Sequence, residues 1–287
     1  MLSTLKQKWL AIKQLTRMDK PIGTYLLLWP TYWALWIACD GWPSLHLLVV
    51  FSLGVFVMRS AGCVINDIAD MKIDGKVERT KNRPLVSGSM TKDEAISLFG
   101  VLIGIALGLV LTLSWATIYL SVVALLLAAS YPFMKRYTQL PQVVLGAAFS
   151  WGMIMAFSEA QGEVPIIAWL LFAANLLWTV AYDTMYAMVD RNDDVEIGVK
   201  STAILFGNND KRIVGLLQLL VLGLLLTVGD MLAFGWPYQL SLVIAAGMFA
   251  YQQMLIVNRE RDQCFQAFLH NHWVGMIIFV GIFVEYL

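Results

Sequence analysis

Charged residues are scarce in this chain. Asp, Glu, Lys and Arg make up 14% of its 287 residues, below the ~25% that is usual for a soluble domain. Hydrophobic residues make up 59% and the mean hydropathy is +0.69, which excludes an ordinary soluble domain and is typical of a polytopic membrane protein. The 20 basic and 20 acidic residues cancel, so the net charge gives no reason to expect a nucleic-acid partner.

Cysteine and histidine are also scarce, with three of each. Cys39, Cys63 and Cys264 form no CxxC pair and lie in or beside apolar runs, where a free cysteine behaves as a small hydrophobic residue. The sequence therefore predicts no disulfide framework. The histidines have no metal-ligand spacing to an acidic or cysteine cluster, and they are given no metal role.

Apolar runs long enough to cross a bilayer, which takes ~20 residues in a helix, fill most of the sequence. They predict nine spans, at residues 22–39, 45–66, 94–113, 115–133, 142–158, 164–187, 213–229, 236–257 and 272–286. The segment before them, about residues 1–20, places basic residues around Trp9, Leu10 and Ile12. This pattern is typical of an amphipathic helix on an anionic membrane surface. We therefore expect an all-α, polytopic integral membrane protein with an N-terminal surface segment.

The basic residues fall on one side of this predicted topology. All 20 Lys and Arg residues lie before the first span or around the connections that follow the second, fourth, sixth and eighth spans. The other connections hold only acidic charges, among them Asp40, Glu159 and Asp230. The positive-inside rule then predicts that the N-terminus and the long loops are cytoplasmic and that the C-terminus is outside.

Two acidic stretches follow even-numbered spans. If the helix continues, residues four apart share one face, and the two stripes are Asn66, Asp70 and Asp74, and Asp183, Asp190 and Asp194. Carboxylates crowded at the end of a membrane helix repel one another and are costly to desolvate, so a divalent cation is the expected neutraliser. A solvated acidic helix cap would explain one such stripe, but two matched stripes favour a cation site.

Basic residues accompany both stripes, and they are Arg79, Lys81, Arg83, Lys135, Arg136 and Lys200. Each alone could form an ordinary ion pair or a topological anchor. Beside carboxylates that hold Mg²⁺, they favour a diphosphate, because the metal bridges carboxylate and phosphate oxygens while Arg and Lys complete the clamp. At a membrane surface the expected diphosphate is a polyprenyl diphosphate. Its loss leaves an allylic cation, and the aromatic candidates to steady it are Trp29, Trp33, Tyr131 and Tyr182.

Four short patterns occur together in the chain. They are N-D-x-x-D-x-x-x-D at Asn66, Asp67, Asp70 and Asp74; D-x-x-x-D at Asp190 and Asp194, preceded by Asp183; Asn82-Arg83-Pro84; and Y-x-x-x-K at Tyr131 and Lys135. Together they resemble the UbiA superfamily of intramembrane aromatic prenyltransferases. Longer stretches, among them AYDTMYAMVDRNDD and KSTAILFG, are similar to the bacterial members that act on 4-hydroxybenzoate in ubiquinone biosynthesis. The resemblance runs from near the N-terminus to the last span, as one membrane-embedded domain over residues 1–287.

The resemblance implies a fold and a reaction. The fold would have nine helices around a central cavity that opens laterally to lipid, with acidic motif loops at the cytoplasmic face of a bacterial inner membrane and a periplasmic C-terminus. The reaction would transfer a polyprenyl group from its diphosphate to the position ortho to the hydroxyl of 4-hydroxybenzoate, with Mg²⁺.

The resemblance also implies roles for single residues. Catalysis would involve Asp70, Asp74, Asp190, Asp194 and Arg136. Metal binding would involve Asp67, Asp70, Asp74, Asp183, Asp190 and Asp194. Substrate binding would involve Arg59, Asn66, Arg79, Arg83, Tyr131, Lys135 and Lys200. Arg59 lies deeper in the predicted membrane span, where an isolated charge is costly; its partner is expected to be the acceptor carboxylate or, equally, Asp67 or Asp70.

Two alternatives remain at this stage. The first is a related prenyltransferase for another acceptor, such as a naphthoate, homogentisate or haem. The second is a cation transporter, because acids within a membrane also mark ion pathways. A transporter needs polar groups that continue to the far side, whereas the outer half of the predicted topology holds only scattered acids and no basic residue. The prenyl chain length and the oligomeric state are not determined by the sequence.

Overall fold

The computed structural model of the chain describes residues 2–75 and 80–287, excluding the side chains of residues 2–5, Lys72, Ile73, Lys135 and Ile197. All regular secondary structure in this described part is helical, which confirms the predicted all-α class. The helices are α1 (Leu2–Leu15), α2 (Ile22–Ala38), α3 (Leu45–Asp74), α4 (Pro84–Ser87), α5 (Lys92–Val110), α6 (Trp115–Tyr137), α7 (Pro141–Gln161), α8 (Ile166–Ile197), α9 (Thr202–Phe206), α10 (Asp210–Met231), α11 (Trp236–Leu255) and α12 (Arg261–Glu285).

Most of these helices are long and apolar enough to cross a membrane. Eight such helical stretches of at least 18 residues occur in the described part of the chain, and they match the second to ninth predicted spans. The first predicted span forms α2, which has 17 residues and is at the lower limit for crossing a bilayer. The chain is therefore a multi-pass membrane protein, and the predicted count of nine spans is approximate.

Helix α2 packs against α3, α7 and α12. Its Trp33 is 0% exposed, stacks on Trp178 of α8 with 5.5 Å between ring centroids, and donates a hydrogen bond of 2.9 Å to the carbonyl of Gly275. A Cβ at Gly275 would lie 2.8 Å from the Trp178 ring, so this close approach requires glycine. Trp33 and Tyr182, two of the predicted cation-stabilising aromatics, are therefore core residues.

The two motif-bearing helices run beyond their apolar stretches. Helix α3 continues through the first acidic motif to Asp74, as the spacing predicts, and α8 continues to Ile197. The loop after α8 therefore begins only at Gly198, whose φ of +72° ends the helix. A helix satisfies its own backbone hydrogen bonds, so it can carry polar side chains past the apolar stretch.

The segments around the first motif pack against it. Helix α1, the predicted amphipathic segment, buries Ala11 and Leu15 against Val64 of α3, while its Trp9 is 56% exposed. The loop after residue 80 holds the short α4 and ends at a capping box, in which Thr91 and Glu94 bond to each other's backbone at the start of α5. These contacts fix the chain around the end of α3.

Candidate active site

A cavity of about 380 Å³ lies where the last turns of α3, α6 and α8 meet the loops before α4 and α9. The predicted site residues that line it are Asp70, Asp74, Arg83, Tyr131, Arg136, Asp183, Asp190, Asp194 and Lys200. The two acidic stripes, more than a hundred positions apart in the sequence, thus face one space. Both carboxylate sets and three basic side chains can act on the same ligand.

The first stripe comes from α3 and is largely buried. Asp70 and Asp74 are 5% and 6% exposed. Burial raises the pKa of the Asp74 carboxyl above its usual range, and the charge of Arg83 opposes that rise. Arg83 Nη1 donates a hydrogen bond of 2.7 Å to Asp74 Oδ2, and Thr80 Oγ1 donates one of 2.7 Å to the Asp74 carbonyl. The loop that carries Arg83 is therefore fastened to the end of α3.

Asp67 belongs to the same motif but does not line the cavity. Its carboxylate is 1% exposed, and Arg17 Nη2 lies 2.9 Å from each of its oxygens. Arg83 Nη1 is also 2.9 Å from Asp67 Oδ1. Two arginines therefore bind the Asp67 carboxylate, which the sequence predicted as a metal ligand. Arg17 was not predicted, because its only sequence signal is one basic residue in a surface segment.

The side-chain oxygen of Asn66, unlike the Asp67 carboxylate, is not held by any arginine that the structure describes. Asn66 Oδ1 is buried and has no hydrogen-bond partner among the described residues. Asn66 precedes Asp70 by four residues on α3, so it shares the stripe that reaches the cavity. A buried acceptor without a donor is costly, and this oxygen therefore suits a ligand or a cation at the end of the stripe.

The second stripe comes from one face of α8. Asp183, Tyr186, Asp190 and Asp194 line the cavity from this helix. Asp193, one residue before the last of these, points elsewhere and pairs with Arg261 Nη2 at 2.8 Å. The i, i+3, i+4 periodicity of a helix thus separates the cavity face from its opposite face. Tyr186 was not predicted, although it lies on the predicted stripe.

The remaining wall comes from α6, α7 and the loop before α9. Arg136 Nη2 donates a hydrogen bond of 2.8 Å to the carbonyl of Ala69, which holds this side chain beside the first stripe. Lys200 Nζ donates to the Tyr137 carbonyl at 3.3 Å. Gln142 Oε1 accepts a hydrogen bond of 3.2 Å from the Thr202 backbone N–H. The lining residues that the sequence did not predict are Thr80, Pro141, Gln142, Tyr186, Ala187, Gly198, Val199 and Ser201.

The oxygen-rich donor set fits Mg²⁺ bound together with a substrate. Within residues 2–75 and 80–287, no three His, Cys, Asp or Glu side chains are close enough to hold a metal ion. Mg²⁺ commonly uses one or two carboxylates and completes its shell with waters and substrate phosphates. The carboxylates of the two stripes match that requirement, since they line a shared cavity.

Four predicted substrate-binding residues are not among the described side chains that line the cavity, and Asn66 is one of them. Arg79 and the side chain of Lys135 lie outside the described part of the chain. The Arg59 guanidinium packs on Gly23 of α2 so closely that a Cβ there would overlap it. The hydrogen bonds and ion pairs of the described residues give Arg59 no partner, and Asp67 is held by Arg17 and Arg83 instead.

Comparison with known proteins identifies a family. The model of the UbiA prenyltransferase family matches residues 27–275. A curated relative named 4-hydroxybenzoate octaprenyltransferase, from Colwellia psychrerythraea, is 79% identical over 287 residues and covers 100% of both chains. One of the same name from Klebsiella pneumoniae is 58% identical and covers 99% of both chains.

Solved structures share the fold. The apo structure of a UbiA homolog from Aeropyrum pernix K1 is 26% identical, with a TM-score of 0.81, and the match covers 92% of this chain and 98% of that chain. A UbiA homolog from Archaeoglobus fulgidus, solved bound to GPP and Mg²⁺, is 17% identical, with a TM-score of 0.75, and the match covers 96% of this chain and 99% of that chain. At that lower identity the likeness concerns the fold.

Proposed function

This chain belongs to the UbiA prenyltransferase family, and on that basis we propose that it prenylates 4-hydroxybenzoate in ubiquinone biosynthesis. A polyprenyl group passes from polyprenyl diphosphate to the ring carbon ortho to the hydroxyl, and diphosphate is released. The observation that carries the proposal is the single cavity shared by two acidic stripes and three basic side chains. Relatives of full length at 79% and 58% identity, named for this acceptor, favour it over a naphthoate, homogentisate or haem.

The proposed cofactor is Mg²⁺, carried into the cavity with the diphosphate. The side chains that would hold it are Asp70, Asp74, Asp190 and Asp194, with Asn66 and Asp183 in support. The buried Asn66 oxygen without a described partner and the oxygen-only stripes support this choice. When bound, Mg²⁺ neutralises the diphosphate and stabilises it as a leaving group. Asp67 is left out of the metal set because Arg17 and Arg83 engage it.

The basic side chains of the cavity act on the leaving group. As the allylic C–O bond breaks, the electron pair goes to the diphosphate, and Arg83, Arg136 and Lys200 offset the growing negative charge. Arg83 is already held by Asp67 and Asp74, so little reorganisation is needed when the charge forms. The rings of Tyr131 and Tyr186, which line the cavity, can stabilise the positive allylic carbon. The ortho carbon of the acceptor then bonds to it and loses its proton.

The proposed partner of Arg59 is the carboxylate of 4-hydroxybenzoate. Arg59 lies within the span Leu45–Met71, where an isolated charge is costly. The described residues provide no ion pair for it, and Gly23 leaves space for its guanidinium. A benzoate acceptor supplies the missing negative charge, and a fork-shaped pair with guanidinium also fixes the ring's orientation.

The proposed location is a bacterial inner membrane with the active site at the cytoplasmic face. The cavity, Lys200 of the α8–α9 loop and the acidic motifs lie at one end of the helices. The positive-inside rule assigns that end to the cytoplasm and the C-terminus to the periplasm. Both substrates would then approach from the cytoplasmic leaflet or the cytoplasm. The whole chain acts as one membrane-embedded domain in this proposal.

One assay tests the proposed reaction directly. Membranes that contain the protein are incubated with Mg²⁺, a polyprenyl diphosphate and labelled 4-hydroxybenzoate, and lipid-extractable label is measured. Label should appear with the protein and disappear in excess chelator or with Asp190→Asn. Membranes with the protein that give no more label than membranes without it would rule the proposal out. Cation flux into liposomes without a prenyl donor would instead favour the transporter alternative.

A further inference from the structure

A second pocket lies on the other side of α8 from the active-site cavity. It has a volume of about 160 Å³ and is lined by Met188, Val189, Arg191, Asn192, Arg259 and Arg261. None of these residues lines the larger cavity. Its charged lining consists of three arginines and no acid, from the last turns of α8 and the turn between α11 and α12. We call this site the arginine pocket.

Two carboxylates hold these arginines from outside the lining. Asp210, which is 0% exposed, accepts hydrogen bonds from Arg259 Nε at 2.8 Å and Nη2 at 2.7 Å, and from Arg191 Nη1 at 3.3 Å. Asp193 accepts one from Arg261 Nη2 at 2.8 Å. The guanidiniums are therefore fixed in place by neighbours that do not fill the pocket.

The arginines keep donors for a ligand. A guanidinium has five N–H donors, and the described contacts use Nη1 of Arg191, Nε and Nη2 of Arg259, and Nη2 of Arg261. Arg259 Nη1 and two nitrogens each of Arg191 and Arg261 make no hydrogen bond within the described part of the chain. Three positively charged side chains line the pocket, and no acidic side chain is among its described lining residues. Such a set matches the oxygens of a phosphate group.

We propose that the arginine pocket binds a phosphate-bearing anion, and that its occupant is the headgroup of an anionic phospholipid. Exposed apolar side chains lie a few residues before Arg259 in the chain: Met254, in the last turn of α11, is 66% exposed, and Val257, in the turn after α11, is 51% exposed, and they suit acyl chains. Basic pockets between helices at the cytoplasmic side of a membrane bind anionic headgroups in this way. Free diphosphate has the same phosphate chemistry but no acyl chains, so it cannot use these apolar contacts.

Occupation of the pocket has a structural consequence. Arg191 follows Asp190 directly on α8, and Asp193 precedes Asp194. A headgroup on one face of α8 therefore braces the turns whose other face presents the second acidic stripe to the cavity. The binding site does not depend on the identity of the prenyl acceptor, so its test is independent of the proposed reaction.

The test measures lipid retention by the purified full-length protein in detergent. Phosphatidylglycerol or phosphatidylcholine is added in equal amounts, and bound lipid is counted by native mass spectrometry. The variants are Arg191→Gln and Arg261→Gln, with Arg212→Gln as the matched control, because Arg212 is an exposed arginine on α10 that does not line the pocket. The protein should retain phosphatidylglycerol preferentially, each pocket variant should lose about tenfold in affinity, and the control should be unchanged.

Two further arms make each result decisive. The Arg261 side chain is 47% exposed, so Arg261→Gln is expected to fold, and its result decides the matter if Arg191→Gln unfolds. Equal retention by the protein, Arg261→Gln and Arg212→Gln would overturn the proposal. In a competition arm, inorganic diphosphate is added to the lipid-bound protein. Binding of diphosphate with no preference for phosphatidylglycerol would also overturn it, because the occupant would then be a free anion.

Discussion

Arg17 Nη2 lies 2.9 Å from both carboxylate oxygens of Asp67, which joins the end of the N-terminal surface segment to the first acidic motif. Asp67 also pairs with Arg83 Nη1, and the same nitrogen reaches Asp74 at 2.7 Å. The chain Arg17, Asp67, Arg83, Asp74 thus connects α1 to the wall of the cavity. Asp67 therefore contacts two arginines, whereas Asp74 contacts Arg83 and also lines the cavity.

This connection predicts that Arg17→Ala weakens donor binding. Without Arg17, the buried Asp67 keeps its ion pair with Arg83, and Arg83 is then drawn away from Asp74 and the diphosphate. We expect the donor kcat/KM to fall about tenfold, mainly through the donor KM, with little change in the acceptor KM. Arg17→Lys should restore part of the loss, because it returns the charge without the bidentate geometry.

The matched control for Arg17 is Lys6→Ala, which removes an exposed basic residue on α1, the helix that precedes Arg17. It removes the same charge without touching Asp67. If Lys6→Ala reduced donor kcat/KM as much as Arg17→Ala, the effect would come from membrane-surface charge, and the positioning role of Arg17 would be refuted.

A second prediction compares neighbouring aspartates on α8. Asp194 lines the cavity, whereas Asp193 pairs with Arg261 on the other face of the helix. Asp194→Asn should abolish prenyl transfer in the presence of Mg²⁺, because it removes a charge that neutralises the metal and keeps the shape. Asp193→Asn should cause a much smaller loss. Initial rates over a range of Mg²⁺ concentrations, with insertion checked by membrane fractionation, measure both; equal losses would contradict the assignment.

The contrast between these aspartates also shows how far the sequence could predict the site. Asn66, Asp70 and Asp74 were predictable as a stripe because residues four apart share a helical face, and α3 does continue through them. Asp67 was included among the metal ligands from its place in the motif. One helical residue turns the side chain by ~100°, and the structure accordingly directs Asp67 to Arg17 rather than the cavity.

Other features could not be predicted from local patterns. Arg17 and Asp67 are 50 residues apart, and their pairing depends on how α1 packs on α3. Helix α12 begins at Arg261, whereas its apolar run predicted a start near residue 272. The first turns of α12 are polar. Hydropathy identifies only the part of a helix that is apolar enough to lie in the membrane. The capping box at Thr91, by contrast, is a local signal, because Thr91 and Glu94 are only three residues apart in the sequence.

A third prediction concerns Arg59 and the glycine that faces it. Arg59→Ala should raise the acceptor KM much more than the donor KM, because it removes the proposed partner of the acceptor carboxylate. Gly23→Ala should act in the same direction, since the added Cβ would overlap the guanidinium and displace it. Steady-state kinetics with each substrate varied in turn gives both constants. A matched control is Gly104→Ala, where the structure leaves open space around the added Cβ.

A fourth prediction concerns orientation. All 20 basic residues lie on one side of the predicted topology, so a reporter fused to the C-terminus should be active only if it works in the periplasm. A reporter fused to the N-terminus should work only in the cytoplasm. A C-terminal fusion with cytoplasmic activity would place the acidic motifs on the wrong side for cytoplasmic substrates.

The last prediction is that the enzyme tolerates donors of different chain length but selects its acceptor strictly. Metal and basic side chains fix the donor's head, while each further isoprene unit of its tail meets similar apolar helices or lipid. The acceptor presents a carboxylate and a hydroxyl to polar side chains of the protein, and losing either leaves a polar group unsatisfied at about 1 to 3 kcal/mol. The test compares kcat/KM for geranyl and much longer donors, all dispersed in detergent, and for 4-hydroxybenzoate against its methyl ester. If kcat/KM differed by orders of magnitude between the donors, the protein would be selecting donors by tail length. If the ester also reacted as well as the acid, the proposed pairing of Arg59 with a carboxylate would be wrong.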